Sequence, residues 1–137
     1  MKRTLKTLNI IINEQHSILP QQAEILKDLF DPTLHRHKII KVPAEGWNIK
    51  QRREIMHELE GFVVFVSPIP DMMVELSYDS AIRNVHQAIF HINNAENAIV
   101  PRYNVSKVFV FCNDNREKIE INGKIIHKIA EEGWYLA

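Results

Sequence analysis

A single cysteine, Cys112, and only four glycines stand in the 137 residues. One cysteine forms no intrachain disulfide, which fits a reducing compartment. Its place at the end of an apolar run suits a small buried hydrophobe. Four glycines leave no loop able to wrap a pyrophosphate with backbone alone. No G-x-G-x-x-G follows the first apolar run, and neither G-x-x-x-x-G-K-[ST] nor G-x-S-x-G occurs. The usual dinucleotide fingerprint, the P-loop and the hydrolase elbow are therefore excluded. Any nucleotide bound here must be recognised mainly by side chains.

Charge of one sign is also lacking. Lys+Arg and Asp+Glu balance at 17 each, so no global field favours long nucleic acid or an anionic membrane. Long hydrophobic runs are missing as well: none approaches the roughly 20 residues that span a bilayer. The start, MKRTLKTLNIIINEQ, is basic and then apolar, but Asn9 interrupts the apolar stretch and Asn13 closes it. That is too short for a signal peptide. The chain reads as one soluble, cytoplasmic domain over 1–137, with the ordinary 45% apolar and 25% charged content of a globular protein.

What is present alternates. Strand-like runs rich in Ile, Val and Phe fall at Leu8–Ile12, Lys38–Val42, Phe62–Ser67 and Lys107–Cys112. Nearly continuous apolar runs of this kind suit a parallel sheet covered on both faces. Between them lie helical segments. The first opens near Pro20 and carries Ala23, Leu26, Leu29 and Phe30 on one side, stopping before Asp31-Pro32. The second runs from an Asn48 cap to Glu60, with Ile49, Met56 and Leu59 as its apolar stripe and Gly61 as its stop.

The third starts with Asp71 as a cap and continues through Met72, Met73 and Leu76 to a stripe at Ile82, Val85, Ile89 and Ile92. One long helix or two shorter ones fit that pattern. Asn122-Gly123 then predicts a β-hairpin, and the tail AEEGWYLA adds a further edge strand. KIIKVPAEGW (38–47) and KIIHKIAEEGW (124–134) echo each other, and both read as strands meeting a Gly turn whose Trp covers a core edge.

The expected fold class is α/β: a Rossmann-like three-layer sandwich, mostly parallel, with central order 2-1-3-4 and a C-terminal β-hairpin at the edge. In such sheets ligands bind beyond the carboxyl ends of the strands, where strand order reverses. That point brings NEQHS (13–17) against SPIPD (67–71), with PAEGW (43–47) and CNDNR (112–116) as neighbours. His16 can serve as general base or hydrogen-bond donor, or can be a solvated loop histidine. Asn13 and Ser17 orient a ligand or cap the coming helix. Glu14 disfavours a purely anionic ligand unless it meets a ribose hydroxyl or a cation. Ser67, between strand and prolines, and Asp71 close the second wall, while Asn113 to Arg116 supply an acid and a cation or simply a turn.

Metal ligation is poorly supported. His35-x-His37 lies by a strand start, His86 and His91 are five apart, and Glu54-x-x-His57 is half of a di-iron motif. Neither metal nor cofactor is expected.

NEQHSILPQQ after a short first strand, together with a third strand ending in VSPIPDMM, resembles small stand-alone CARF (CRISPR-associated Rossmann fold) proteins over about the first 80 residues. The resemblance implies a homodimer that binds a cyclic oligoadenylate across its two-fold axis. In the ring nucleases of that family it further implies metal-independent cleavage by a ribose 2′-hydroxyl. His16 and Ser17 would then be catalytic, with Arg116 the nearest candidate to steady phosphorane charge. Asn13, Glu14, Gln15, Ser67, Asp71 and Asn113 would bind the ligand. No firmly matched Lys or Arg stands at these strand ends, which leaves binding without catalysis open. A non-enzymatic regulatory or interaction module, presenting Trp47, Trp134, Tyr135, Met72 and Met73, is the alternative. A small enzyme acting on a phosphorylated metabolite is the third reading.

Overall fold

A computed structural model describes residues 5–93, 100–113, 117–121, 124–128 and 132–137. In chain order the elements are β1 (Lys6–Asn13), α1 (Pro20–Leu29), β2 (His35–Val42), α2 (Ile49–Glu58), β3 (Glu60–Phe65), α3 (Pro70–Asn93), β4 (Asn104–Asn113), β5 (Glu117–Ile121), β6 (Lys124–Lys128) and β7 (Trp134–Leu136). Five strands form one sheet in the order β2-β1-β3-β4-β7. The β1–β2, β1–β3 and β3–β4 pairs are parallel, and β7 closes the sheet antiparallel to β4. The chain has a Rossmann-like α/β fold.

The C-terminal hairpin does not hold the edge expected of it. β5 and β6 pair only with each other, as a separate two-stranded sheet, and the Asn122-Gly123 turn lies outside the described residues. The tail strand takes the edge instead. The two-residue alternation of a strand puts Trp134 and Leu136 on one face, where both join the apolar cluster around Leu8, Leu26, Phe30 and Phe111. Gln21 of α1 anchors this strand by accepting from the Trp134 N–H at 2.9 Å.

Alternation along β1 divides the core. Leu8 and Ile10 face Leu26 of α1 and Phe30, which caps that helix. Ile11 faces Met56 and Leu59 at the end of α2 and Met72 and Leu76 of α3. Local signals set the helix starts. Asn48 accepts from the Gln51 N–H at 2.8 Å while Gln51 Oε1 accepts from the Asn48 N–H at 2.9 Å, a complete capping box. Gln22 Oε1 likewise accepts from the Leu19 N–H at 3.0 Å at the start of α1. Between α1 and β2, the Thr33 N–H and hydroxyl both donate to Asp31, and these bonds hold its carboxyl below the usual carboxylate range.

Three local expectations are corrected. α3 is one helix starting at Pro70, so Asp71 lies inside the first turn rather than capping it. Ile49 is exposed, not part of the α2 stripe. Gly61 does not stop α2, whose cap is Leu59; it sits in β3 where the register with β4 shifts. Its φ is +80°, and a Cβ there would stand 2.5 Å from the Thr7 carbonyl oxygen. Only glycine lets the bulged β3 approach β1 so closely. Asn9 completes the arrangement: fully buried, it donates through Nδ2 to the Glu60 and Phe62 carbonyls at 2.8 and 3.0 Å.

Candidate functional site

The carboxyl ends of β1, β2 and β3 meet around a cleft. Asn13 ends β1 and folds the chain back on itself. Its Oδ1 accepts from the Gln15 N–H and its carbonyl from the His16 N–H, both at 2.9 Å. The five polar residues of NEQHS thus turn without glycine or proline because Asn13 supplies an Asx-turn. Glu14 ties this turn to β2: its N–H donates to the Val42 carbonyl at 2.8 Å, and its Oε1 accepts from the Ala44 N–H at 2.9 Å.

Ser67 joins β1 to β3. Its Oγ accepts from the Asn13 N–H at 2.9 Å and lies 3.2 Å from His16 Nδ1. When the imidazole carries its proton on Nε2, the serine hydroxyl donates to Nδ1 and the Nε2–H is presented outward. NEQHS and SPIPD therefore meet at the point where strand order reverses, within hydrogen-bond reach.

Beside this contact opens a cavity of about 280 Å³, lined by Asn13, Val42, residues 44–47 and residues 67–69. That size lies near the lower limit of small-molecule pockets, ~300 Å³, and suits one nucleoside-sized unit. Its walls combine the half-buried Trp47 with the Asn13 amide, the Ser67 hydroxyl and the Glu45 carboxylate. Among the described residues no lysine or arginine lines it.

The remaining candidates are dispersed. Gln15 and Ser17 lie beside the turn, both exposed. Asp71 faces away from the cleft and accepts from Arg52 Nη1 at 2.9 Å, an exposed pair of small energetic weight. Asn113 stands at the carboxyl end of β4 and donates to the Glu132 carbonyl at 3.0 Å. Arg116 lies outside the described residues. Gln21 and Gln22, the polar pair of the LPQQ segment, are both engaged within the fold.

Residues 44–47 form more of the cavity wall than a neighbouring strand end would be expected to. The available signal is the glycine. Gly46 has φ +82°, and a Cβ at that position would meet only open space. The turn alone requires glycine there, and it swings Trp47 onto the core. Gly133 repeats this conformation with φ +85° before Trp134. The echoed motifs thus place one tryptophan at each edge of the sheet, against opposite faces.

A second polar cluster, at the amino end of β4, has no counterpart among the sequence signals. Asp79 of α3 is buried and accepts from the Arg102 and Tyr103 N–H groups at 2.6 and 3.1 Å. The Tyr103 hydroxyl donates to Glu75 at 2.8 Å. Burial, then this bond to a carboxylate, raises the phenol to about 12. Arg83 donates to the Tyr103 carbonyl, and the Ser80 hydroxyl to that of Ser106 at 2.6 Å. These bonds fasten the loop that leads into β4. Among the described residues, no three His, Cys, Asp or Glu side chains gather as a metal site, and no helix is long and apolar enough to cross a membrane.

Comparison with protein-family models, curated proteins and solved structures returns no match.

Proposed function

We propose that this chain is a nucleotide-binding module of Rossmann-like three-layer architecture, whose cleft between β1 and β3 takes one nucleoside unit of an adenylate ligand. Cyclic oligoadenylate is the ligand to test first, in keeping with the resemblance to CARF proteins. The observation that carries the reading is the His16–Ser67 contact, which joins two strand exits 51 residues apart where α/β sheets bind ligands. Trp47 offers an apolar wall for a base. Asn13, Ser67 and Glu45 offer acceptors for ribose hydroxyls or an exocyclic amine. Glu45, like Glu14, suits a donor-rich ligand face better than a bare phosphate.

Cleavage is the stronger form of the proposal. In the other tautomer, with Nδ1–H donating to Ser67 Oγ, His16 Nε2 would take the proton of a ribose 2′-hydroxyl. The freed oxygen would attack the adjacent phosphorus, and the 5′-oxygen would leave with a proton from solvent to give a cyclic phosphate end. A specific observation favours the weaker form, binding without cleavage: no described cation lines the cleft to stabilise the phosphorane.

Titration calorimetry with cyclic tetra- and hexa-adenylate in EDTA, with chromatography of the products, tests both forms. Binding that weakens about tenfold in Ser67→Ala, the effect of one lost hydrogen bond, supports the site. Linear product in EDTA supports cleavage, and its absence in the presence of binding selects the weaker form. No binding of either ring removes the reading.

A further inference from the structure

α3 is apolar on both sides. Its inner face sets Met72 and Leu76 in the core, beside Asp79, which is buried, and Glu75 and Arg83, which are half-buried, all three hydrogen-bonded toward the loop before β4. Its outward face is apolar. Val74, Tyr78 and Val85 are 70%, 66% and 55% exposed, and Ala81 between them is exposed as well. Flanking Ser77 and Asn84 are uncharged, and Ser77 is exposed. The outer face of a surface helix is ordinarily its charged one, and a contiguous apolar stripe there marks a contact surface.

The spacing of the stripe says what contacts it. Residues 74, 78, 81 and 85 follow the alternating four-three step of a coiled-coil seam, and the sequence continues that step with Ala88 and Ile92. The stripe is also its own inverse. An antiparallel copy sets Val74 against the partner's Val85 and Tyr78 against the partner's Ala81, a large side chain over a small one. A hollow of about 290 Å³, bordered by Tyr78, Ile82 and Val100 and on its inner side by Glu75, Asp79, Arg102 and Tyr103, gives the tyrosine room beside the seam. No like charges meet, because the outward faces of both helices are neutral between Val74 and Val85. An isologous two-fold contact requires this self-complementarity.

We propose that α3 is the interface of a two-fold homodimer in which two copies of this helix pack antiparallel about a point between Asp79 and Ser80. Such a dimer stands independently of the ligand reading but constrains it. The cleft precedes Pro70, so some nine residues, ~14 Å of helix, separate each cleft from the dyad. The two clefts fall at opposite ends of the seam, and each binds its own ligand rather than sharing one across the axis.

Sedimentation velocity of the full chain tests the interface. A species of twice the 16.0 kDa chain mass is expected at micromolar concentration. Val74→Glu with Val85→Glu should raise its dissociation constant at least ~100-fold, as for central interface positions, while circular dichroism stays unchanged because both sites are exposed in the monomer. In a Cys112→Ser background, mixing Val74→Cys and Val85→Cys chains should give a disulfide-linked heterodimer that neither variant gives as efficiently alone. A monomer at 100 µM (about a hundredfold above micromolar association), a dimer indifferent to the double glutamate variant, or equal cross-linking of each cysteine variant to itself would each overturn the proposal. Loss of the dimer with ligand binding retained separates this surface from the cleft.

Discussion

Toward the amino end of the sheet, most polar side chains are buried and bonded to backbone; at the carboxyl end they are exposed and only partly engaged. Asp79 satisfies two backbone N–H groups, and Asn9 donates to two carbonyls beside the Gly61 bulge. These groups replace bonds that an irregular backbone would otherwise lack, and pairing offsets their cost of burial, although His35 Nδ1 and Arg83 Nε at the same end are buried without a hydrogen bond. At the other end, His16 is exposed, the Ser67 hydroxyl already holds the turn, and Trp47 and Glu45 border open space. Polarity at the first end holds the fold together. Polarity at the second is available to a ligand. Substitutions at the amino end should therefore change stability, and those at the carboxyl end should change binding.

Gly61→Ala is expected to have the largest effect, because a Cβ meets the Thr7 carbonyl and the residue keeps a left-handed φ. A loss of about 4 kcal/mol in urea denaturation is anticipated; a variant within 1 kcal/mol of wild type (roughly the scale of ordinary surface substitutions) would deny the close approach of β3 to β1. Asp79→Ala should cost about 3 kcal/mol by leaving two backbone donors unpaired, and a neutral result would break the amino-end half of the comparison.

Tyr103→Phe should cost about 1 kcal/mol at neutral pH through the lost bond to Glu75. It also carries a pH signature. The folded phenol ionises near 12 rather than 10, so the unfolded chain releases the proton first as pH rises. Native stability is therefore whole below pH 10 and falls between about 10 and 12. The phenylalanine variant should lack that component of the alkaline loss in chemical denaturation; an identical decline would place the effect elsewhere. His16→Ala should change stability least, within ~0.5 kcal/mol, while lowering ligand affinity about tenfold. Destabilisation without a binding effect would erase the contrast between the two ends.

Much of the architecture is legible in the sequence because its signals are local. Pro20 stands at the first position of α1, Asn48 and Gln51 form a box within one turn, and the apolar runs of β1 and β3 announce strands covered on both faces. The tail's edge strand is legible, but the hairpin's place is not, because Asn-Gly reports a turn and not what the hairpin packs against. Tail residues Trp134 and Leu136 reach the core instead. Gly61 misleads for a similar reason: a glycine just past a helix looks like its stop until the neighbouring strand shows how near Thr7 lies. At the site, the meeting of NEQHS and SPIPD follows from the general geometry of α/β sheets. Trp47 as a wall and Asp71 as an outlier do not, since side-chain direction depends on the turns that aim it.

The sequence by itself determined the α/β alternation, the starts of α1 and α2 and the polar strand exits, since these depend on side chains interacting with backbone a few residues away. Tertiary structure alone decided the partners of Asn9, Asp79 and Tyr103, the separation of the β5–β6 hairpin from the main sheet, and the outward placing of Val74, Tyr78 and Val85. Each of these depends on contacts, made or left open, between segments far apart in the chain, and hydrophobic periodicity tells which faces are apolar without telling what covers them.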